Sequence, residues 1–531
     1  MLAELSSTGT GVPAAVLRRI SSFARRHPIV GVGIVLLVAP VIALAVYAGA
    51  AYWLLSGPRL RSLINQHPKS FALNYSQATS FRPGRIAVRN LTIRGSDHNV
   101  EWIIRLADAR IEYSVLALAA RTFRCTGLRG SGLSFRLRSK LEPARLDTAD
   151  TTNLPPIPGF AEPPLREPAG APRPHPKNPW RVEVRAIRIR DLNEIWIDTT
   201  RYRGPARVAG SFVLRPGLLA EIGPARVDFE GGEVRLGGVP NGLTVSGSIE
   251  ARFAPYEPHA VRGSEVWRTV SGEVDLDAGF DDLRALRHLI RSAAHTRLGE
   301  GSGKVTVRGT ISGGNARGRA HVSVEDGAVR LEKVALEADA EISMVVADWN
   351  LVDGPLDVSG SRVAFKEVRS SGSDPSRNWW GRFEIASGRI GSISSASVRA
   401  RSRDARPLLA MLGVKLPGWT RGLLSLEDFA ASADVAIGPS SASVRHLQAR
   451  GGDFRIQGHY SRDRRSRAGA LLIESGVLSV GLDIQAASTR LVLFGPKKWY
   501  RESRQTPARP SLLAPPHAGA SAPLPSETGG S

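Results

Sequence analysis

One cysteine, Cys125, occurs in 531 residues, so no disulfide can close within the chain and zinc sites built on cysteine pairs are excluded. Lysine is scarce too: of 71 basic residues nine are Lys and 62 are Arg. Aromatic residues make up only 6%. Signatures of chemistry are missing as well. No G-x-S-x-G nucleophile elbow occurs, and the histidines, among them His67, His98, His288, His295 and His459, show no H-x-x-x-H spacing. The stretch GEGSGKV at Gly299–Val305 puts Leu298 where a phosphate loop needs its first glycine and Val305 where it needs a hydroxyl, so it reads as a glycine turn. Asp281 and Asp282 fit the acidic first turn of a helix better than a metal site. The sequence carries no sign of an enzyme, a cofactor or a metal.

What is present is apolar and punctuated. Hydrophobic residues reach 42%, and 54 Gly and 35 Pro exceed their usual shares of about 7% and 5%. The length suffices for two to four domains, each with a core. The net charge of +22 asks for a partner, yet the arginines spread from Arg18 to Arg509 instead of gathering on one element. Along most of the chain they alternate with apolar residues, the mark of a solvated strand face. That pattern disfavours nucleic acid; a solvated outer face is the plain reading, and attraction to anionic phosphates, lipid headgroups included, stays open beside it.

Ile29–Leu55 holds 27 residues without a charge, between Arg18, Arg19, Arg25 and Arg26 on one side and Arg59 and Arg61 on the other. At about 1.5 Å per residue this run exceeds the roughly 30 Å of bilayer hydrocarbon. Tyr47, Tyr52 and Trp53 suit a membrane interface. A cleaved signal peptide, cut at Ala48-Gly49-Ala50, is the competing reading, but the run is longer than the about 7–15 residues of a signal core. A retained single-pass anchor is expected over 29–55, with residues 1–28 cytoplasmic and the bulk exported.

Beyond the anchor the period changes to two. Leu133, Phe135 and Leu137 alternate with Ser134, Arg136 and Arg138. Leu243, Val245 and Ile249 belong to a second such run; Leu336 and Ile342, beside Glu337 and Asp339, to a third; Val480 and Leu482, beside Asp483, to a fourth. Paired glycines punctuate the runs as turns. The expected fold is mainly β, an extended and mostly antiparallel sheet with few short helices, at Arg59–Gln66, Asp281–Ala294 and Arg406–Leu412. GGEVRLGGV from Gly231 and DGAVRLEKV from Asp326 each lead into a long alternating strand, as in a sheet that grows by similar hairpins. Glu142–Pro179, with 11 prolines in 38 residues, reads as a linker without a packed core, and Arg501–Ser531 as a disordered tail. The divisions are therefore 1–28, 29–55, a β module at 56–141, the linker 142–179, a β region at 180–500 and the tail 501–531.

Several of these stretches carry a resemblance. The anchor is followed by FRPGRIAVRNLTIRG (Phe81–Gly95) and by ADARIEYSVLALAARTFRCTGLRGSGLSFRLR (Ala107–Arg138). Near the other end come PLLAMLGVKLPGW (Pro407–Trp419), LSLEDFAASADV (Leu424–Val435) and HLQARGGDFRIQGHY (His446–Tyr460). In order and pattern they resemble the AsmA-like family, with its TamB and YhdP types, envelope proteins distantly similar to chorein-type bridge lipid-transfer proteins. The resemblance implies an inner-membrane anchor, a periplasmic body, a sheet curled into an open groove, and phospholipid acyl chains as cargo for outer-membrane biogenesis. In such a groove Leu243, Val245, Ile249, Leu336, Ile342, Val480 and Leu482 would meet lipid, while Glu337, Asp339 and Asp483 would face water. Two alternatives stand beside it: an accessory factor in outer-membrane protein assembly, working with envelope proteins through strand edges, and a structural β-sandwich whose apolar face is buried against a second sheet.

Overall fold

The alternating runs become strands. A computed structural model describes residues 28–144, 151–166, 180–216, 219–239, 241–258, 260–261, 263–287, 296–331, 334–370, 379–403, 428–463, 466–486 and 488–505. Its 25 strands belong to one large, mostly antiparallel sheet, with few short helices. The chain divides into two compact units: Met1–Asp198 with Arg207–Gly223 and Glu257–His259, and Thr199–Ala206 with Pro224–Tyr256 and Ala260–Ser531. The expected helix at Arg406–Leu412 lies outside the described residues, and so does the expected tail Arg501–Ser531 beyond Gln505; its first residues, Arg501–Gln505, are helical instead.

In the first unit helix α1 (Pro28–Leu55) is followed by α2 (Arg59–Ile64), where a short helix was expected. Within α1, side chains are described at Val38 and from Val41 on, and among the described residues no helix is long and apolar enough to cross a membrane. The last turns of α1 are tied to the sheet: the Tyr47 hydroxyl lies 2.6 Å from Ser80 Oγ, and the Tyr75 hydroxyl donates to the Leu55 carbonyl at 3.0 Å. The strands here are β1 (Phe71–Asn74), β2 (Gln77–Arg82), β3 (Arg85–Ser96), β4 (Val100–Tyr113), β5 (Thr122–Ser139) and β6 (Arg181–Ile197). Helix α3 (Val115–Ala119), capped by Ser114, joins β4 to β5 within the stretch SVLALAA.

β5 and β6 run parallel, an exception to the antiparallel rule. Parallel neighbours need a crossover, and the Pro-rich segment supplies it. Contrary to the linker expectation, residues 151–166 of that segment pack closely: Ile157 is 2% exposed, and Pro155 and Pro164 are fully buried. Proline nitrogens cannot donate, so the carbonyls of such a segment need donors from elsewhere. Arginines of the sheet provide them. Arg94 and Arg136, both in register with Ile103, donate to the carbonyls of Pro158 and Pro156 at 2.9 and 3.0 Å. Arg138 donates to the carbonyls of Pro155 and Ala161 and pairs with Glu101 at 2.7 Å. The expectation that arginines alternating with apolar residues face water therefore fails at Arg138, which is 0% exposed. The strand has two faces as read, but the crossover covers the one that carries the charge.

The same unit buries Glu183 among Arg124, Arg181 and Arg185 at 2.7–3.1 Å. Burial pushes its carboxyl up, and the arginines outweigh that and hold it below the ordinary glutamate value.

The remaining strands are β7 (Thr200–Arg203), β8 (Ala206–Arg215), β9 (Leu219–Leu236), β10 (Leu243–Tyr256), β11 (Val270–Phe280), β12 (Thr296–Leu298), β13 (Ser302–Ser312), β14 (Asn315–Leu331), β15 (Val334–Asn350), β16 (Leu356–Asp357) and β17 (Arg362–Ser370). They continue with β18 (Trp379–Ile390), β19 (Ser394–Ser402), β20 (Phe429–Ile437), β21 (Ala442–Gly451), β22 (Phe454–Arg462), β23 (Arg467–Ser475), β24 (Leu478–Ile484) and β25 (Thr489–Val492). From β10 onward the second unit pairs strand to strand, always antiparallel. The two VRL stretches close β9 and β14, each before a long strand, as the loose repeat suggested. The stretch Gly299–Val305 is a turn into β13, with Gly301 at φ +133° against Gly327.

Where a helix was expected over Asp281–Ala294 there is one 3-10 turn, Leu283–Leu286, with Asp282 accepting from the Arg284 amide; residues 288–295 lie outside the described set. Helix α4 (Pro496–Gln505) lies beyond the last strand. Its Trp499 ring stands 2.6 Å from where a Cβ on Gly481 would sit, and Tyr500 is buried with Ala470 and Leu472.

Candidate functional site

Register carries an apolar line across the second unit. Val245 on β10 opposes Ala278, and the line continues through Val305, Val322, Ile342, Val363 and Phe383. It goes on through Ala400, Ala431, Ala449, Ile456 and Ile473 to Val480 on β24. Thirteen strands thus place an apolar residue on one face at one level. One residue further along β10 the line is polar: Ser246, Asp277, Thr306, His321, Ser343, Arg362, Glu384, Arg399, Ser432, Gln448 and Gln457. A one-residue slip in any pair would exchange the two faces, so registry is what keeps the apolar line continuous.

Bulges preserve that parity. β14, β17 and β21 each carry an extra residue, and Asp326, Glu367 and His446 take positive φ there. An added residue locally twists a strand without exchanging the faces on either side of it.

Cover, however, is incomplete. Only Val245 and Ala449 of the apolar line are buried; the other eleven members are half-buried. A face packed against a second sheet about 10 Å away would bury such residues throughout. The seven residues singled out in the sequence fall into two groups. Leu243 and Val245 are buried with Phe280, Leu283, Leu286 and Val324, the 3-10 turn closing over them. Leu336 is 9% exposed and packs with Val368 and Trp379. Ile249, Ile342, Val480 and Leu482 are half-buried, and Ile342 and Val480 lie on the line itself. Among the residues expected to face water, Glu337 is exposed, while Asp339 and Asp483 are half-buried.

The polar face gives way where α4 docks, over Ala470, Leu472 and Gly481. Sequence reasoning missed this helix, although the spacing of Trp499 and Tyr500 within a basic stretch was a usable signal. Beside it is a pocket of about 700 Å³ whose walls include Arg445, His446, His459, Tyr460, Tyr500 and Arg504. His446 Nδ1 lies 2.8 Å from Asp434 Oδ2, and Ser397 donates to the same carboxylate. These two partners hold the Asp434 carboxyl below its ordinary value. Burial, then Arg504 and Arg445, push His459 below the usual histidine value. The first unit has a pocket of about 540 Å³ beside α2, bordered by Arg61, Asn65, Leu73, Arg94, Ile103 and Arg105. No group of three potential metal ligands occurs among the described residues. No protein-family model, curated protein or solved structure matches this chain.

Proposed function

We propose that the chain holds phospholipid acyl chains along the apolar face of its second unit and serves lipid transport between the membranes of a bacterial envelope, anchored in the inner membrane by its uncharged N-terminal helix with the bulk in the periplasm. The half-buried apolar line over thirteen strands carries this reading. At about 4.8 Å between strands the line runs roughly 58 Å, several times the roughly 15 Å reach of one bilayer leaflet. It could accept several chains in succession, each buried CH₂ contributing about 0.8 kcal/mol. The contact of Tyr47 with Ser80 leaves Ile29–Val46 for the bilayer, about 27 Å of helix. The AsmA-like order of segments supports the same reading, and so does a polar face rich in arginine, which keeps the other side wet.

The test is lipid content. Full-length protein, purified in mild detergent, should carry phospholipid detectable by mass spectrometry. Ile342→Glu should stay folded, because water reaches a half-buried position, yet lose most of that lipid; a charge against acyl chains costs several kcal/mol. Ser343→Glu places the same charge on the polar face and should keep the lipid. Equal lipid content in both folded variants overturns the reading, and a cooperative loss of fold in Ile342→Glu favours the closed sandwich instead.

A further inference from the structure

The pocket beside α4 gathers cations, and the one acid that faces Arg445 across the strand pair, Asp434, is already taken by Ser397 and His446. Arg445, half-buried on β21, and Arg504, near the end of α4, make no hydrogen bond or ion pair with any described residue. His459 on β22 is half-buried between them, likewise without a hydrogen-bond partner. The nearby acids are occupied: Asp434 by Ser397 and His446, Asp463 by Ser466, and Glu474 by Lys497. Like charges gathered in one cavity repel, and their field raises the local concentration of anions.

We propose that this pocket binds a phosphate ester, with Arg445 and Arg504 as its charge partners and His459 as a third donor once protonated. Arginine matches phosphate oxygens with paired N–H donors, and its charge persists at all relevant pH. Arg445 and His459 share the polar face on which α4 docks, whereas Val444 and Tyr460 oppose each other on the other face of the sheet, so the pocket offers a charged head its donors but no apolar wall from those two side chains. A phospholipid headgroup and a small soluble ester share this chemistry. The headgroup alternative deepens the lipid reading and rests on it; the phosphate site itself does not.

Binding should depend on pH. Burial and the two arginines keep His459 neutral near pH 7, and a bound anion favours its protonated form. The charged and titratable groups that border the pocket with it are Arg445 and His446 from β21, Tyr500 and Arg504 from α4, and Arg462 and Asp463 at the end of β22. His446 already has Asp434 as its partner, 2.8 Å away.

The experiment is calorimetric titration of the full chain, in non-ionic detergent, with glycerophosphoglycerol, a phosphodiester whose own charge is constant across the pH range used. Wild type should bind it, more tightly at about pH 5.5 than at about pH 8. Arg504→Gln, at an exposed site that cannot unfold the sheet, and Arg445→Gln should each weaken binding about tenfold or more. His459→Gln should remove the pH dependence, and Arg399→Gln, an exposed arginine of the polar face, should change nothing. Phosphatidylglycerol in nanodiscs that competes with the ester marks the headgroup as the source; ester binding without that competition marks a soluble ligand, and either result supports the site. No binding to wild type, or equal loss in Arg399→Gln, overturns it. Since lipid content is measured separately with Ile342→Glu, failure here leaves the lipid reading standing, and the reverse.

Discussion

Arg138 and Arg308 look alike along the chain. Each alternates with apolar neighbours on a strand, and each faces an acid on the adjacent strand, Glu101 for the first and Asp275 for the second. In the first unit a Pro-rich crossover lies over the arginine, the pair is buried, and further donor bonds go to the carbonyls of Pro155 and Ala161. In the second unit the pair stands in water, with both side chains more than 60% exposed. The two regions use one strand chemistry for opposite ends. In one the charged face is sealed and helps fix a loop; in the other it is the solvated back of an apolar face that stays half open. Covering a face, not composing it, decides what its residues do.

The largest effect should come from breaking the sealed face. Arg138→Met removes the closest partner of buried Glu101 and leaves only Lys140, 3.8 Å away, a change that should cost about 3 kcal/mol, the low end of the range for broken buried pairs. Denaturant melts should show an early transition for the first unit while the second is unaffected. Adding Glu101→Gln should restore much of the loss, because the stranded charge causes most of the cost. A loss below about 1 kcal/mol would mean that the crossover does not seal this face in solution, and the contrast between the units would disappear.

A smaller difference should separate two positions within the second unit. Leu336→Ala empties a site packed by Val368 and Trp379 and should cost about 2–4 kcal/mol. Ile342→Ala, on the half-buried line, should cost about 1–1.5 kcal/mol, since part of its surface is already in water. Equal costs at the two positions would indicate a uniformly packed core and argue for a sandwich.

Much of this architecture was legible before any coordinates. Period-two alternation marks the strands, and the absence of enough helix to cover them marks an uncovered face. Alternation is blind to cover, however. It assigned Arg138 to solvent because the covering segment is distant in sequence and has no periodicity of its own. The same blindness grouped Leu336 with Ile342, although Trp379 and Val368, brought alongside by two later strands, bury only the first. The parallel pairing of β5 with β6 was hidden for a related reason: a Pro-rich stretch of that length serves equally as linker or crossover. The cationic pocket could not be read at all, because Arg445, His459 and Arg504 come from three elements and meet only through register and the docking of α4.

The smallest effect is expected where the polar face is open. The guanidinium of Arg308 lies 3.1 Å from Asp275, geometry nearly as close as that of the buried pair. In water the attraction is screened, and ordering two long side chains offsets what remains, so exposed pairs contribute about 0–1 kcal/mol. Arg308→Gln should therefore shift stability by less than about 1 kcal/mol, and raising the salt should shrink the shift further. Leaving Asp275 alone costs little because water solvates it, unlike Glu101 beneath the crossover. The measurement is denaturant unfolding of Arg308→Gln at low and high salt beside Arg138→Met. If Arg308→Gln costs more than about 2 kcal/mol and salt has no effect, this face is covered in solution, and an apolar line backed by a wet surface no longer describes the second unit.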